Sequence, residues 1–359
     1  MKIAEIIQPD DFHLHLRDGI YLKHTVTYSS KYARAIIMPN LKPPITSIEQ
    51  AKSYRNEILN INPDFNPLMT LYLNQNIKKE ELKKFPDIPW LLGIKLYPSG
   101  ATTHSDYGVK VSELEYFYSY FELMEKYNIP LLVHGEVADY EVDFFEREKV
   151  FIENHLIPIR EKFPYLKIVL EHVSSKEGVE FVNQYDLTAA TVTPQHLLLT
   201  RNDLFFGGIN PHNFCLPIVK TQHDKEAIAK EVLQGNPKFF AGTDSAPHPK
   251  HKKESCCGPA GIFSAPISIE LYLQFFDDYG KSFYNNYTDK DLLENKEVIN
   301  RIENFLSKFG ADFYGLEYNK KTISIYKQEF SIPEEYPLGN ETVVPMWAGK
   351  TLKYTCYIS

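Results

Sequence analysis

Eight short runs of apolar and β-branched residues, most of them closed by a polar side chain, constrain this 359-residue chain more than any other feature. The first ends in Asp11-Phe12-His13-Leu14-His15, and the second is Ala35-Ile36-Ile37-Met38-Pro39-Asn40. Leu68 to Leu73 and Leu91-Leu92-Gly93-Ile94-Lys95 follow, then Leu131-Leu132-Val133-His134 and Ile168-Val169-Leu170-Glu171-His172. Leu187 to Thr193 and Phe239-Phe240-Ala241-Gly242-Thr243-Asp244 complete the set. Between the runs lie helix signals: capping boxes at Ser47 to Gln50, Ser112 to Glu115 and Ser174 to Glu177, and a C-cap glycine at Gly235. Strand-length runs alternating with helices predict an α/β fold, either a closed (β/α)₈ TIM barrel or an open doubly wound sheet. The polar terminators favour the barrel, in which the C-terminal strand ends converge on one mouth.

Past about residue 260 the strand-helix unit stops repeating: Ile302 to Gly310 reads as a helix, and Thr342 to Pro345 and Leu352 to Ile358 as extended segments. The expectation is one domain over residues 1–359, with a barrel core at about 8–265 and a C-terminal elaboration at about 266–359. Composition narrows the partners. A net charge of -8 offers no broad attraction to nucleic acid or anionic membrane, and the basic Lys250-His251-Lys252-Lys253 reads as a solvated loop. No basic start precedes a long apolar stretch, and no apolar run nears the roughly 20 residues of a membrane helix, so a cytoplasmic protein is expected. Cys215, Cys256, Cys257 and Cys356 form no C-x-x-C pair, which argues against a disulfide framework or a zinc knuckle.

His13 and His15 stand two apart on a strand, so both imidazoles share a face while Phe12, Leu14 and Leu16 take the other; Asp11 and Arg17 join the polar face. His134, His172 and Asp244 each end a run. Taken singly they read as hydrogen-bonded core residues, but together they make four imidazoles and a carboxylate, a donor set suited to zinc and related divalent ions. Lys95 has two readings. Either it pairs with a nearby acid, or burial beside the metals leaves a neutral amine that reacts with carbon dioxide, giving an anionic carbamate between two cations. His196 points to the same mouth with no assigned role.

These residues sit in specific motifs: Asp11-Phe12-His13-Leu14-His15-Leu16-Arg17-Asp18, Met38-Pro39-Asn40-Leu41, Gly93-Ile94-Lys95-Leu96-Tyr97-Pro98, Leu132-Val133-His134-Gly135-Glu136, Thr193-Pro194-Gln195-His196 and Gly242-Thr243-Asp244-Ser245-Ala246-Pro247-His248. Through them the chain resembles the amidohydrolase superfamily and, within it, the dihydroorotases of the shorter bacterial type, to about residue 270 and more loosely beyond. The resemblance implies reversible zinc-dependent cyclisation of N-carbamoyl-L-aspartate to L-dihydroorotate in de novo pyrimidine biosynthesis. It implies two Zn²⁺ per subunit, one on His13, His15 and Asp244 and one on His134 and His172, bridged by N6-carboxylated Lys95. Arg17, Asn40 and His248 are implied to bind the substrate, with backbone groups at Leu216 and Ala260, and the subunits to form a homodimer. Thr102 and Thr103 fall in the family's mobile loop, here Ser99 to Gly108, as a lid or an ordinary turn. Paired metals supply a hydroxide nucleophile near neutral pH, and Asp244 is expected to be catalytic, taking its proton and passing it to the departing nitrogen. Arg17 would clamp the carboxylate through two parallel hydrogen bonds, unless it is a surface ion pair. The rival functions are a hydantoinase or allantoinase-like amidohydrolase and a non-catalytic barrel subunit of a pyrimidine-pathway complex.

Overall fold

All eight runs become strands in the computed structural model, which describes residues 1–103, 105–284 and 292–359. β1 (Lys2–Ile7) precedes them, outside the barrel. The barrel strands are β2 (Asp10–Leu14), β3 (Arg34–Ile37), β4 (Asn66–Tyr72), β5 (Leu91–Leu96), β6 (Leu131–Val133), β7 (Ile168–Leu170), β8 (Thr188–Val192) and β9 (Phe239–Ala241). They pair in sequence order and every pairing is parallel. The ring closes where β2 meets the segment after β9. There Leu14 bridges Ser245, Asp244 N donates to His13 O at 2.9 Å, and buried Asp11 accepts from Thr243 N at 2.8 Å and from the Thr243 hydroxyl at 2.6 Å. The closing seam therefore carries His13, His15 and Asp244 together.

One apolar side chain from every barrel strand enters a single inner cluster: Phe12, Ile36, Leu68, Leu92, Leu132, Val169, Ala189 and Phe240. Phe12 thus departs from the alternation expected of it, since Leu14 and Leu16 pack outward in the larger core while Phe12 faces in. The register of β2 on β3 shifts between Asp11 and Leu14, which breaks strict alternation at this point.

At the opposite end from the seam's histidines, Phe313 and Tyr314 press on this cluster. Phe12 stacks on Tyr314 with ring centroids 5.4 Å apart, and Lys167, just before β7, donates to Phe313 O at 3.0 Å. A Cβ at Gly310 would lie 2.1 Å from the Phe12 ring, so only glycine permits this approach. The helix expected over Ile302 to Gly310 is the middle of a longer one, running Lys296–Glu303, Asn304–Lys308 as a π turn, and Phe309–Tyr314. β10 (Thr322–Ser331), β11 (Tyr336–Leu338), β12 (Glu341–Val343) and β13 (Thr351–Ile358) follow; β10 pairs antiparallel with β1 on one side and β13 on the other.

The cap signals divide. Ser47 forms its reciprocal box on helix Ile48–Ile61, and Gly235 ends helix Gln222–Gln234 at φ 79°. Ser112 forms no cap, because Val111–Phe117 is a 3₁₀ helix entered from Lys110. The helix expected to start at Ser174 is capped by Ser175, whose hydroxyl accepts from Gly178 N at 3.0 Å. Ser174 is otherwise engaged: its N–H donates to Glu148 and its hydroxyl accepts from Lys220 at 2.5 Å. Lys250–Lys253 is not a solvated loop but a helical turn, and Lys253 is buried. All four cysteines are free. Among the described residues no helix is long and apolar enough to cross a membrane.

Candidate active site

His13 and His15 face each other with Nε2 atoms 3.3 Å apart, and Asp244 Oδ1 lies 3.1 Å from His15 Nε2 and 3.4 Å from His13 Nε2. Across the mouth His134 Nδ1 and His172 Nε2 are 3.2 Å apart. Outer hydrogen bonds decide which lone pairs point inward. Asn40 Oδ1 can only accept, so His15 donates from Nδ1 at 2.9 Å and turns a bare Nε2 to the cluster. Glu136 accepts from His134 Nε2 at 2.8 Å, which leaves His134 Nδ1 bare. Burial pushes His13 and His172 well below the usual imidazole range and lowers His15, holding these rings neutral.

Among the described residues two donor groups are compact enough to hold an ion, His13 with His15 and Asp244, and His13 with Glu171 and His172. Neutral imidazoles with inward lone pairs beside buried carboxylates fit a divalent metal. Glu171 was not foreseen as part of this cluster. Its carboxylate pairs with Lys95, and Oε1 lies 3.0 Å from His13 Nδ1. An acid inside an apolar run was the available signal, as was the i, i+2 spacing of Glu136 from His134. Lys95 is fully buried, beneath the Tyr97 ring, and burial drives its ammonium well below the ordinary lysine range.

Above the cluster, one pocket is lined by His13, His15, Arg17, Asn40, Thr102, Thr103, His134, His172, Leu216, Asp244 and Ala260, with Tyr97, Ala246 and Gly261. Of the metal and substrate residues expected from sequence, only Lys95 and His248 fall outside that lining, each directly behind it. Arg17 is no surface ion pair: Nε donates to Pro247 O at 3.0 Å and Nη2 lies 3.1 Å from His248 Nε2. His248 Nε2 is also 3.0 Å from Ala260 O. A carbonyl can only accept and a guanidinium can only donate, so that nitrogen serves one of them at a time. Asn40 combines two tasks, bracing His15 and donating to Thr103 O at 3.3 Å. The Thr103 hydroxyl reaches Ala260 O at 3.2 Å, across the pocket. His104, within the expected lid, lies outside the described residues. His196 has a structural role: Nε2 donates to Pro217 O at 2.9 Å while Nδ1 faces the Thr193 hydroxyl at 2.8 Å.

Three of the six non-glycine residues at positive φ among the described residues belong to this site: Arg17 at 59°, His172 at 44° and Asp244 at 46°. Such backbone is held only where its surroundings over-determine it.

No family model matches the chain. A dihydroorotase of Coxiella burnetii is 47% identical over 359 residues, covering 99% of this chain and 98% of that protein. The chain belongs to the dihydroorotase family. Its fold agrees with a solved dihydroorotase of Saccharomyces cerevisiae in complex with 5-fluoroorotic acid, at TM-score 0.87, 28% identity and 99% coverage of both chains. An L-hydantoinase of Arthrobacter aurescens shares the barrel alone, at TM-score 0.77 and 14% identity over 99% of this chain and 84% of its own. The chain is accordingly a cyclic amide hydrolase with a small-molecule substrate, of a metal-dependent family, and its eight-stranded sheet is that family's (β/α)₈ barrel.

Proposed function

We propose that the protein interconverts N-carbamoyl-L-aspartate and L-dihydroorotate on the de novo route to pyrimidines, using two zinc ions at the barrel mouth. The observation that carries this reading is Arg17, half-buried beside the His and Asp cluster with its guanidinium turned into the same pocket. A dihydroorotate carboxylate needs such a partner, whereas a plain hydantoin ring does not. His13, His15 and Asp244 would hold one metal, His134 and His172 the other, with N6-carboxylated Lys95 between them. Burial favours the neutral Lys95 amine, the form that adds carbon dioxide, and the carbamate keeps one N–H for Glu171 to accept. Bound metals supply Lewis-acid polarisation of the ring carbonyl and a hydroxide nucleophile near neutral pH.

The chain's own groups do the rest. Asp244 takes a proton as the ring opens and returns it to the departing nitrogen; in ring closure it begins protonated. Arg17, Asn40 and His248 hold the substrate with backbone groups at Leu216 and Ala260, while Thr102 and Thr103 cover it. A homodimer and a cytoplasmic location follow from the family resemblance. One unit over residues 1–359 is supported by the pairing of β1 with β10.

The test compares ring closure of carbamoyl aspartate with hydantoin hydrolysis in one preparation, before and after chelation. Dihydroorotate chemistry is expected to dominate, to fall by more than about a hundredfold on metal removal, and to return with zinc. Full activity in metal-free protein, or a preference for hydantoin, would overturn the assignment.

A further inference from the structure

The basic run Lys250-His251-Lys252-Lys253 has no part in the chemistry above, and its members divide sharply. His251 and Lys252 are exposed, whereas Lys253 is 3% exposed and turns inward. Its Nζ donates to Phe214 O at 2.8 Å, Pro259 O at 3.0 Å and Gly261 O at 2.8 Å. An ammonium has three hydrogens, and three carbonyls take them. Those carbonyls belong to two loops far apart in sequence. Phe214 stands two residues before Leu216, and Pro259 and Gly261 flank Ala260. A single backbone bond, Gly261 N to Phe214 O at 2.9 Å, joins the same loops beside the ammonium. Both loops line the pocket, through Leu216 and Ala260.

We propose that Lys253 is a positioning residue that ties these two loops together and sets the backbone at Leu216 and Ala260 for substrate. It touches no reacting atom. The inference rests on the reading that those two backbone groups face the substrate. Removing the ammonium would leave Pro259 O and Gly261 O without that donor and Phe214 O held by the Gly261 N–H alone, and the loops would part. The loss should fall on substrate recognition, because the metal-ligating side chains are carried by the barrel strands and their ends and not by these loops.

The test uses Lys253→Met, which keeps the stem and removes every donor, and Lys253→Gln, which keeps a shorter donor, both as full-length metal-loaded protein. Two measurements separate the clamp from its function. In the ligand-free variants, amide hydrogen exchange at residues 214–216 and at Ala260 and Gly261 should quicken by about tenfold or more, with the barrel strands unchanged. In kinetics with dihydroorotate, KM should rise by about tenfold while kcat falls less than about threefold, with normal zinc content and with the glutamine variant intermediate. Unchanged exchange would overturn the clamp itself. Faster exchange at unchanged KM would leave the clamp standing but show that Leu216 and Ala260 do not face substrate, and the proposal falls with that reading. A drop in kcat at constant KM, or variants too unstable to assay, would make Lys253 a folding element and not a positioning one.

Discussion

His15 and His134 present bare nitrogens to the cluster because Asn40 and Glu136 hold their other nitrogens. Glu136→Gln should therefore weaken metal affinity about ten- to a hundredfold, read by competition with a chromophoric chelator, while activity at saturating zinc stays near normal. Arg17→Lys should leave metal content intact and lower kcat/KM for dihydroorotate by roughly a hundredfold, since an ammonium cannot reproduce a two-point contact; unchanged kinetics would move the carboxylate site elsewhere. Burial lowers His196 to about 4 from an ordinary 6.5. The folded chain refuses a proton that the unfolded chain accepts, so this group costs stability as pH falls from about 6.5 toward 4, on the order of 3 kcal/mol in full. Urea unfolding at pH 7 and pH 4.5 should show the wild type losing more than His196→Gln; an equal loss would remove His196 from the acid response. The histidines that meet in the cluster were legible because spacing and run ends repeat a signal. Glu136 and Glu171 carried only the weaker signals of an i, i+2 spacing and an acid inside an apolar run, and Lys253 carried none, since the meaning of a lone buried charge lies in the distant atoms it meets.

The described residues of the segment Ser99 to Gly108 fold back on one another, with Ser99 N donating to Val109 O at 2.9 Å and Thr102 N to Ser105 Oγ at 3.0 Å, and Thr103 reaches Ala260. Replacing both Thr102 and Thr103 with Ala should lower kcat/KM ten- to a hundredfold, as expected for one or two lost hydrogen bonds of about 1.5 kcal/mol each. Zinc content should not change, and near-normal kinetics would reduce the segment to a connection. At the other end of the barrel, Gly310→Ala forces a methyl into the Phe12 ring. It should cost about 1–3 kcal/mol in urea unfolding, as overpacking does, and leave the kcat of the folded fraction unchanged. Strands were readable as elements because burial on both faces writes a continuous apolar run. Cap positions were less so: Ser174 has the capping-box partner Glu177 where Ser175 has only Gly178, yet the engagement of Ser174 with Glu148 and Lys220 leaves the cap to Ser175.

For the molecule as a whole, the choice between barrel and open sheet was legible in where the polar terminators stood, but the seam that makes the choice real was not. It consists of Asp11 reaching Thr243 and of His13 accepting from Asp244, contacts between residues more than two hundred positions apart. Nor did any local pattern announce that β10 would lie between β1 and β13. Ending the chain after Lys350 should strip β10 of one partner and expose its edge, and sedimentation should show aggregation where the full chain stays dispersed. The same three-stranded sheet has a consequence in time. A ribosome releases β1 some three hundred residues before β10 exists, at roughly 5–20 residues per second. For that interval, tens of seconds, the first strand has no native neighbour, and it is the newborn chain's standing invitation to a chaperone or to a wrong edge.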